Sequence, residues 1–352
     1  MLHARRGENA MQLRLPLAGL VAVAAVAAAS AIPVHRAHAQ TPTKVTLNVG
    51  GLEKQIYLPA RLTEALGYYK DEGLEVTLEN EAAGVEGADA LVAGEVQGVV
   101  GFYDHTVDLA SKGKRTESIV QFSRAPGEVE LVSTRIADKV KSFADLKGHT
   151  VGVTGLGSST NFLTQYMTVR NGLPVSAVTS IAVGAGGTFL AAMKQGAIDG
   201  GMTTEPTVSR SLDTGLAKIL VDMRTVEGTR TALGGTYPAA CLYMSASYVQ
   251  KHPDITQKLA NAFVKTLKWI DTHSGADIAA KMPHDYYAGN EAQYIKAMDA
   301  GKAMFTADGL MPEDGPATVL KVLTTFSPTM KGKTVDVSQT FTTAFVKKAL
   351  GQ

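Results

Sequence analysis

Beyond residue 40 the chain alternates short apolar runs with stretches of helical period. Lys44 to Val49 switches between polar and apolar residues, the two-residue period of a strand. Leu58, Leu62, Ala65, Leu66 and Tyr69 then recur at helical spacing, and Asp71-Glu72-Gly73 closes that helix with a glycine. Leu74, Val76 and Leu78 alternate as a second strand. Ala88 to Ala93 reads as a short helix stopped by Gly94. Gly98 to Tyr103 is almost wholly apolar, as expected of a strand covered on both faces. Asp104 to Lys112 is again helical, and Ile119 to Phe122 is a fourth strand. Strand–helix–strand–helix–strand is the order of a parallel sheet with helical crossovers.

Arg124-Ala-Pro-Gly127 breaks the pattern, and the same alternation then restarts. Val129 to Thr134 reads as a strand, Ser142 to Leu146 as a helical turn, and Thr150 to Val153 as a strand. A helix opens at Ser158, carries Phe162, Leu163, Tyr166 and Met167, and ends at Asn171-Gly172. Val178 to Val183 is a strand, Thr188 to Lys194 a helix, and Asp199 to Thr203 a strand. Glu205 to Leu212 is helical and Ala217 to Val221 a strand. Gly228 to Pro238, rich in glycine and threonine, reads as a return linker before a strand at Ala240 to Ser245. Pro253 to Asp271, Glu291 to Met304 and Pro312 to Phe326 are helical by period. Two α/β units followed by helices fit a chain that crosses to a second lobe and comes back. Residues 40–125 and 241–352 then make lobe 1, and residues 126–240 lobe 2. No repeat of solenoid period is visible.

Composition narrows the function. The chain has 352 residues, 45% of them hydrophobic, enough for two cores. The formal net charge is +1 and there is no basic stripe, so nucleic acid is not an expected partner. The single cysteine, Cys241, has no internal partner, and no Cys/His cluster has zinc-like spacing. Residues 1–39 have the plan of a signal peptide: Arg5, Arg6 and Arg14, an alanine-rich apolar run from Leu15 to Ile32, and Ala37-His38-Ala39 as the cleavage pattern. No cysteine lies near that point to carry a lipid. A secreted, unanchored protein retained in the periplasm is the expectation.

Five segments in order bring a family resemblance into view: Leu66-Gly-Tyr-Tyr-Lys-Asp-Glu-Gly-Leu-Glu-Val76, Ala90-Leu-Val-Ala-Gly-Glu-Val96, Phe143-Ala-Asp-Leu-Lys-Gly148, Val151 to Thr160, and Met193-Lys-Gln-Gly-Ala-Ile-Asp199 leading to Thr204-Glu-Pro206. With Tyr248-Val-Gln-Lys-His-Pro253, this set resembles the periplasmic solute-binding proteins of ABC importers, in the NMT1/THI5-like branch of nitrate, taurine, alkanesulfonate and thiamine-precursor binders. The resemblance implies a type II periplasmic-binding-protein fold. Each lobe would be a mostly parallel sheet flanked by helices, with the ligand cleft between them. It also implies a monomer that closes on a small molecule and delivers it to a membrane permease and its ATPase, with no cofactor.

Ligands of open α/β sheets bind beyond the carboxyl ends of the strands, which selects candidate residues directly. Gly155-Leu-Gly-Ser158-Ser159-Thr160 is a glycine-spaced turn opening a helix, where hydroxyls and unpaired backbone N–H groups make a seat for an anion. One of those hydroxyls also suits a helix N-cap. Gln55 and Tyr57 follow the first strand, and Tyr103 and Asp104 the third. Tyr57 and Tyr103 offer flat walls or core packing, and Asp104 a cap or a ligand contact. Glu205 suits a helix N-terminus or a ligand N–H group. His105 reads as a helix-start residue and Trp269 as packing.

An anion seat with a carboxylate nearby suits a solute with an acidic and an N–H-bearing end, such as an aminosulfonate. A simple sulfonate or an aromatic carboxylate also fits, and a thiamine-precursor pyrimidine does if both tyrosines face the cleft. Catalytic signatures are not found: there is no Gly-x-Ser-x-Gly elbow, no Walker loop and no third glycine of a dinucleotide fingerprint. Enzymes of pyrimidine synthesis that resemble this fold carry a cysteine-rich motif, which this chain lacks. A ligand-sensing domain remains the other alternative on the same fold.

Overall fold

The computed structural model describes residues 41–287 and 290–352. The signal-peptide reading falls on residues 1–39, outside the described part.

Among the described residues, ten strands form two five-stranded sheets. The first holds β1 (Thr43–Val49), β2 (Leu74–Asn80), β3 (Gly98–Phe102), β4 (Thr116–Gln121) and β10 (Ala240–Ser245), in the order β2-β1-β3-β10-β4. The second holds β5 (Glu128–Ser133), β6 (Thr150–Val153), β7 (Thr179–Ala182), β8 (Gly200–Thr204) and β9 (Ala217–Asp222), in the order β7-β6-β8-β5-β9. Helices flank both sheets, and the molecule is an α/β protein of two lobes. The apolar run read as a doubly covered strand is β3, buried at every residue.

The sheets are mixed. β1 pairs in parallel with β2 and β3, and β6 with β7 and β8. β10 runs antiparallel to β3 and β4, and β5 antiparallel to β8 and β9. The reversed strands are the two that follow a crossing between sheets. Because the carboxyl ends of the sheets face each other, a chain leaving β4 through Phe122–Gly127 reaches the second sheet from its carboxyl edge and must run against its neighbours. β10 returns to the first sheet in the same way after β9. Each reversed strand lies inside its new sheet, so both crossings are anchored by two hydrogen-bonded ladders.

The expected return linker is partly a helix. Val226–Leu233 is helical, with the Thr225 hydroxyl accepting the Gly228 N–H at 3.0 Å as an N-cap. Gly228 fits because a Cβ there would lie 2.3 Å from the Asp222 carbonyl oxygen. Only Gly234–Ala239 remains as connector. Similarly, the helix expected from Glu205 begins at Thr207 and follows a cis Glu205–Pro206 peptide.

One large apolar cluster fills the first lobe and runs under the second sheet through Leu163, Tyr166, Met167 and Met202. A smaller one, with Leu131, Phe189 and Met193, fills the opposite face of the second sheet. Each buried leucine or valine there stabilises by roughly 1.5–3 kcal/mol relative to exposure. The tail helix Pro253–Thr272 packs on Leu58–Ala65, and Phe263 of its inner face sits 4.8 Å from Phe122, centroid to centroid. Trp269 stacks on His273 at 3.8 Å, a packing role. The helix Gly315–Phe326 packs on both Asp104–Ser111 and Ser159–Arg170, touching both lobes.

Candidate functional site

The carboxyl ends of β1, β3, β6 and β8 converge with the first residue of β5. After β6 the chain turns through Thr154–Ser158 into the helix Ser159–Arg170. Thr154 Oγ1, Ser158 Oγ and Thr160 Oγ1 lie 3.0, 2.9 and 2.8 Å from one another, with the Thr154 hydroxyl donating to Ser158. Ser158 occupies the N-cap position, yet its hydroxyl donates back to the Gly155 carbonyl at 2.6 Å. No side chain caps the first-turn N–H groups, so positive partial charge stays directed at this corner.

Asp104 begins the helix Asp104–Ser111 and is fully buried, but it caps nothing. Ser159 of the second lobe donates to its Oδ1 at 2.8 Å, and the Tyr237 hydroxyl donates to its Oδ2 at 2.8 Å. Burial raises its pKa, while His105 and these two donors pull it back. Asp104 therefore joins the two lobes at the edge of the site.

Two charged residues complete it: Lys54, within the expected loop Gly51 to Tyr57 but not singled out there, and Glu128, absent from the sequence expectation. Lys54, 4% exposed, donates from Nζ to the carbonyls of Gly50 at 2.6 Å and Ala82 at 2.9 Å. Burial lowers its pKa to about 8, against the pull of Glu53, Glu128 and Glu86. Glu128, 2% exposed, has no hydrogen-bond partner for Oε2 among the described residues. Burial and then Asp104 push its pKa well above the carboxylate range, with Lys54 opposing.

Lys54, Ile56, Tyr57, Gly84, Glu128, Thr154, Ser158, Ser159, Thr160 and Thr204 enclose a space of about 10 Å³, room for about one water. The lobes meet closely here: a Cβ on Gly155 would lie 2.8 Å from the Ala83 Cβ across the gap. An organic solute therefore reaches these residues only when the lobes part. A larger hollow of about 790 Å³, lined by Gly113–Glu117 and Ser245–Gln250, lies at the amino end of β4, the wrong edge of the sheet for the facing strand ends.

The structure brings Tyr57, Ser158, Ser159 and Thr160 together, with Asp104 and Gly155 adjoining. Three expected residues are turned elsewhere. Gln55 points its amide at the Met298 carbonyl, 3.0 Å away, because the loop after β1 packs against the tail; only its backbone N–H reaches the second lobe, donating to the Glu205 carbonyl at 3.0 Å. Tyr103 is fully buried, bonded to Thr340 and edge-on to Phe341, so it is core and not a wall of the cleft. The Glu205 carboxylate is held by Arg224 at 2.9 Å and the Ser209 N–H at 2.9 Å, which leaves it committed within lobe 2. Cys241 is fully buried and burial raises its thiol pKa, the opposite of an activated nucleophile. Among the described residues, no group of three or more His, Cys, Asp or Glu side chains is placed to hold a metal ion.

A family model described as the NMT1-like family matches residues 40–283. No curated protein matches the chain. Among solved structures, one from Bordetella bronchiseptica RB50 is 36% identical with a TM-score of 0.84, covering 88% of this chain and 98% of that one. The periplasmic nitrate-binding protein from Synechocystis PCC 6803 is 14% identical with a TM-score of 0.71, covering 88% and 89%. The periplasmic aliphatic sulphonate-binding protein from Escherichia coli is 18% identical with a TM-score of 0.65, covering 87% and 99%. The last two share the fold.

Proposed function

The chain belongs to the NMT1-like family, and from that premise we propose that it is the solute-binding component of an ABC importer. It captures a small organic anion or zwitterion between its lobes in the periplasm and hands it to a membrane permease and its ATPase. Residues 40–125 and 241–352 act as one moving body and residues 126–240 as the other, with Phe122–Gly127 and Gly234–Ala239 taking up the hinge motion.

One observation carries this reading: the facing strand ends close on a buried set of hydroxyls, uncapped helix N–H groups and the Lys54 ammonium. In a low-dielectric setting such donors hold an electron-rich group strongly, because water no longer competes. Nitrate- and sulphonate-binding proteins with the same fold support an anionic group as the part held there. A flat pyrimidine loses support, since Tyr103 is committed to the core. A protein solved as a cysteine-to-serine mutant with biphenyl-2-sulfinic acid also shares the fold, but the one cysteine of this chain is buried, and burial raises its thiol pKa.

A thermal-shift panel of sulfonates, carboxylates, nitrate and pyrimidines tests the proposal, because a ligand that binds only the folded state raises Tm. At least one anionic member at millimolar concentration raises Tm in the wild type. In Ser158→Ala/Ser159→Ala the shift falls by the equivalent of about tenfold or more in affinity. A panel with no shift, or a shift untouched by the double substitution, rejects the proposed site.

A further inference from the structure

We infer that Glu128 reads an N–H-bearing, cationic group of the solute, so that the preferred ligand is a zwitterion and not a bare anion. This rests on the solute-binding reading above and specifies its ligand class.

Glu128 stands at the entrance of β5 into the second sheet, opposite Thr204, with its side chain facing the same small space as the Ser158–Thr160 corner. It is 2% exposed, and Oε2 has no hydrogen-bond partner among the described residues. A buried acceptor left unpaired has lost its hydration with nothing in exchange. The nearest cation does not relieve it by contact. Lys54 directs two of its N–H groups to the Gly50 and Ala82 carbonyls and acts on Glu128 only through space. Asp104 adds a second acid to the same corner, and its two oxygens already accept from Ser159 and Tyr237. Two acids and one lysine thus share the closed site, and Oε2 of Glu128 is the acceptor there that is left without a donor.

A bare anion entering this corner brings no N–H donor to Oε2. A solute whose other end carries an ammonium or a strong N–H donor supplies the missing partner, and an ammonium there favours the ionised carboxylate against its burial. The hydroxyl and helix-N-terminal side would take the acidic end, and Glu128 the amino end. Glu205, the carboxylate that the sequence offered for this role, is spent on Arg224 and Ser209.

Matched pairs decide it: taurine against ethanesulfonate, and 4-aminobutyrate against butyrate, each titrated into the full chain by calorimetry and thermal shift. The amino member of a pair binds about tenfold or more tightly in the wild type. Glu128→Gln, checked for folding by its melting curve, loses most of that preference. If the pair members bind equally, or the one without the amino group binds better, this inference is overturned while the solute-binding reading stands. If no member of either pair and none of the broader panel binds at millimolar concentration, both are overturned. The wild-type comparison alone decides the matter should Glu128→Gln fail to fold.

Discussion

Glu130 lies two residues beyond Glu128 on the same face of β5, fully buried, and neither of its carboxylate oxygens has a hydrogen-bond partner among the described residues. Burial alone raises its pKa well above the ordinary value of 4.5. For a raised carboxyl the folded state binds the proton more tightly than the unfolded chain. The associated stability is fully present below the unfolded pKa and is lost as pH rises through the folded one. The wild type therefore loses stability as pH rises from about 5 to 7, a window below the Lys54 value of about 8. Glu130→Met removes the unpaired acid at similar volume. Its Tm is higher than wild type by a few degrees at neutral pH, with a smaller advantage in acid. The pH slope shrinks without vanishing, since Glu128 acts in the same direction. A melting series in which the variant is less stable at neutral pH contradicts this account of Glu130. At this scale the sequence misleads for a definite reason. Glu128-Val-Glu-Leu131 alternates like a half-exposed strand, but β5 is an inserted central strand with both faces covered. Lys54 is hidden similarly, in a loop that folds its ammonium inward onto two carbonyls. The hydroxyls at Ser158–Thr160 were legible because a glycine-spaced turn between strand and helix has one geometry.

At the scale of elements, the Thr154–Ser158 turn is one part of lobe 2 that meets lobe 1. Gly155 is required there by approach and not by backbone conformation, since any Cβ collides with Ala83 on the facing lobe. Gly155→Val thus leaves the melting curve of the unliganded protein within about 1 kcal/mol of wild type, because β6 and its helix do not pack against that position. It prevents full closure and weakens solute binding by about tenfold or more. Unchanged affinity on titration would show that the lobes need not meet at Ala83. Most strands and helices were legible from period and glycine stops, because local pattern governs them. The reversed direction of β5 and β10 was not, since pairing direction follows from where the chain crosses between sheets. The helix Val226–Leu233 was missed because its glycine and threonines serve a cap and a close contact.

For the whole molecule, few contacts hold the lobes shut on the side of the site. Ser159 to Asp104 and the Gln55 N–H to the Glu205 carbonyl are buried, while Lys296 and Gln293 meet Asp213 at the surface. Exposed pairs of that kind contribute about 0–1 kcal/mol each. The hinge side is firmer, with Phe326 of the tail against Phe162 of lobe 2 at 5.8 Å. Opening at the site and pivoting at the tail is the motion this distribution favours. Ala82 and Leu156 are exposed on opposite lips of the gap, and the native Cys241 is too buried to compete for a label. Spin labels on Ala82→Cys/Leu156→Cys report the gap directly by pulsed dipolar spectroscopy. With the solute that raises Tm most, the account predicts one short distance matching the closed arrangement, and without it a broader distribution reaching longer distances. A distribution identical with and without that solute would contradict capture by closure of the two lobes.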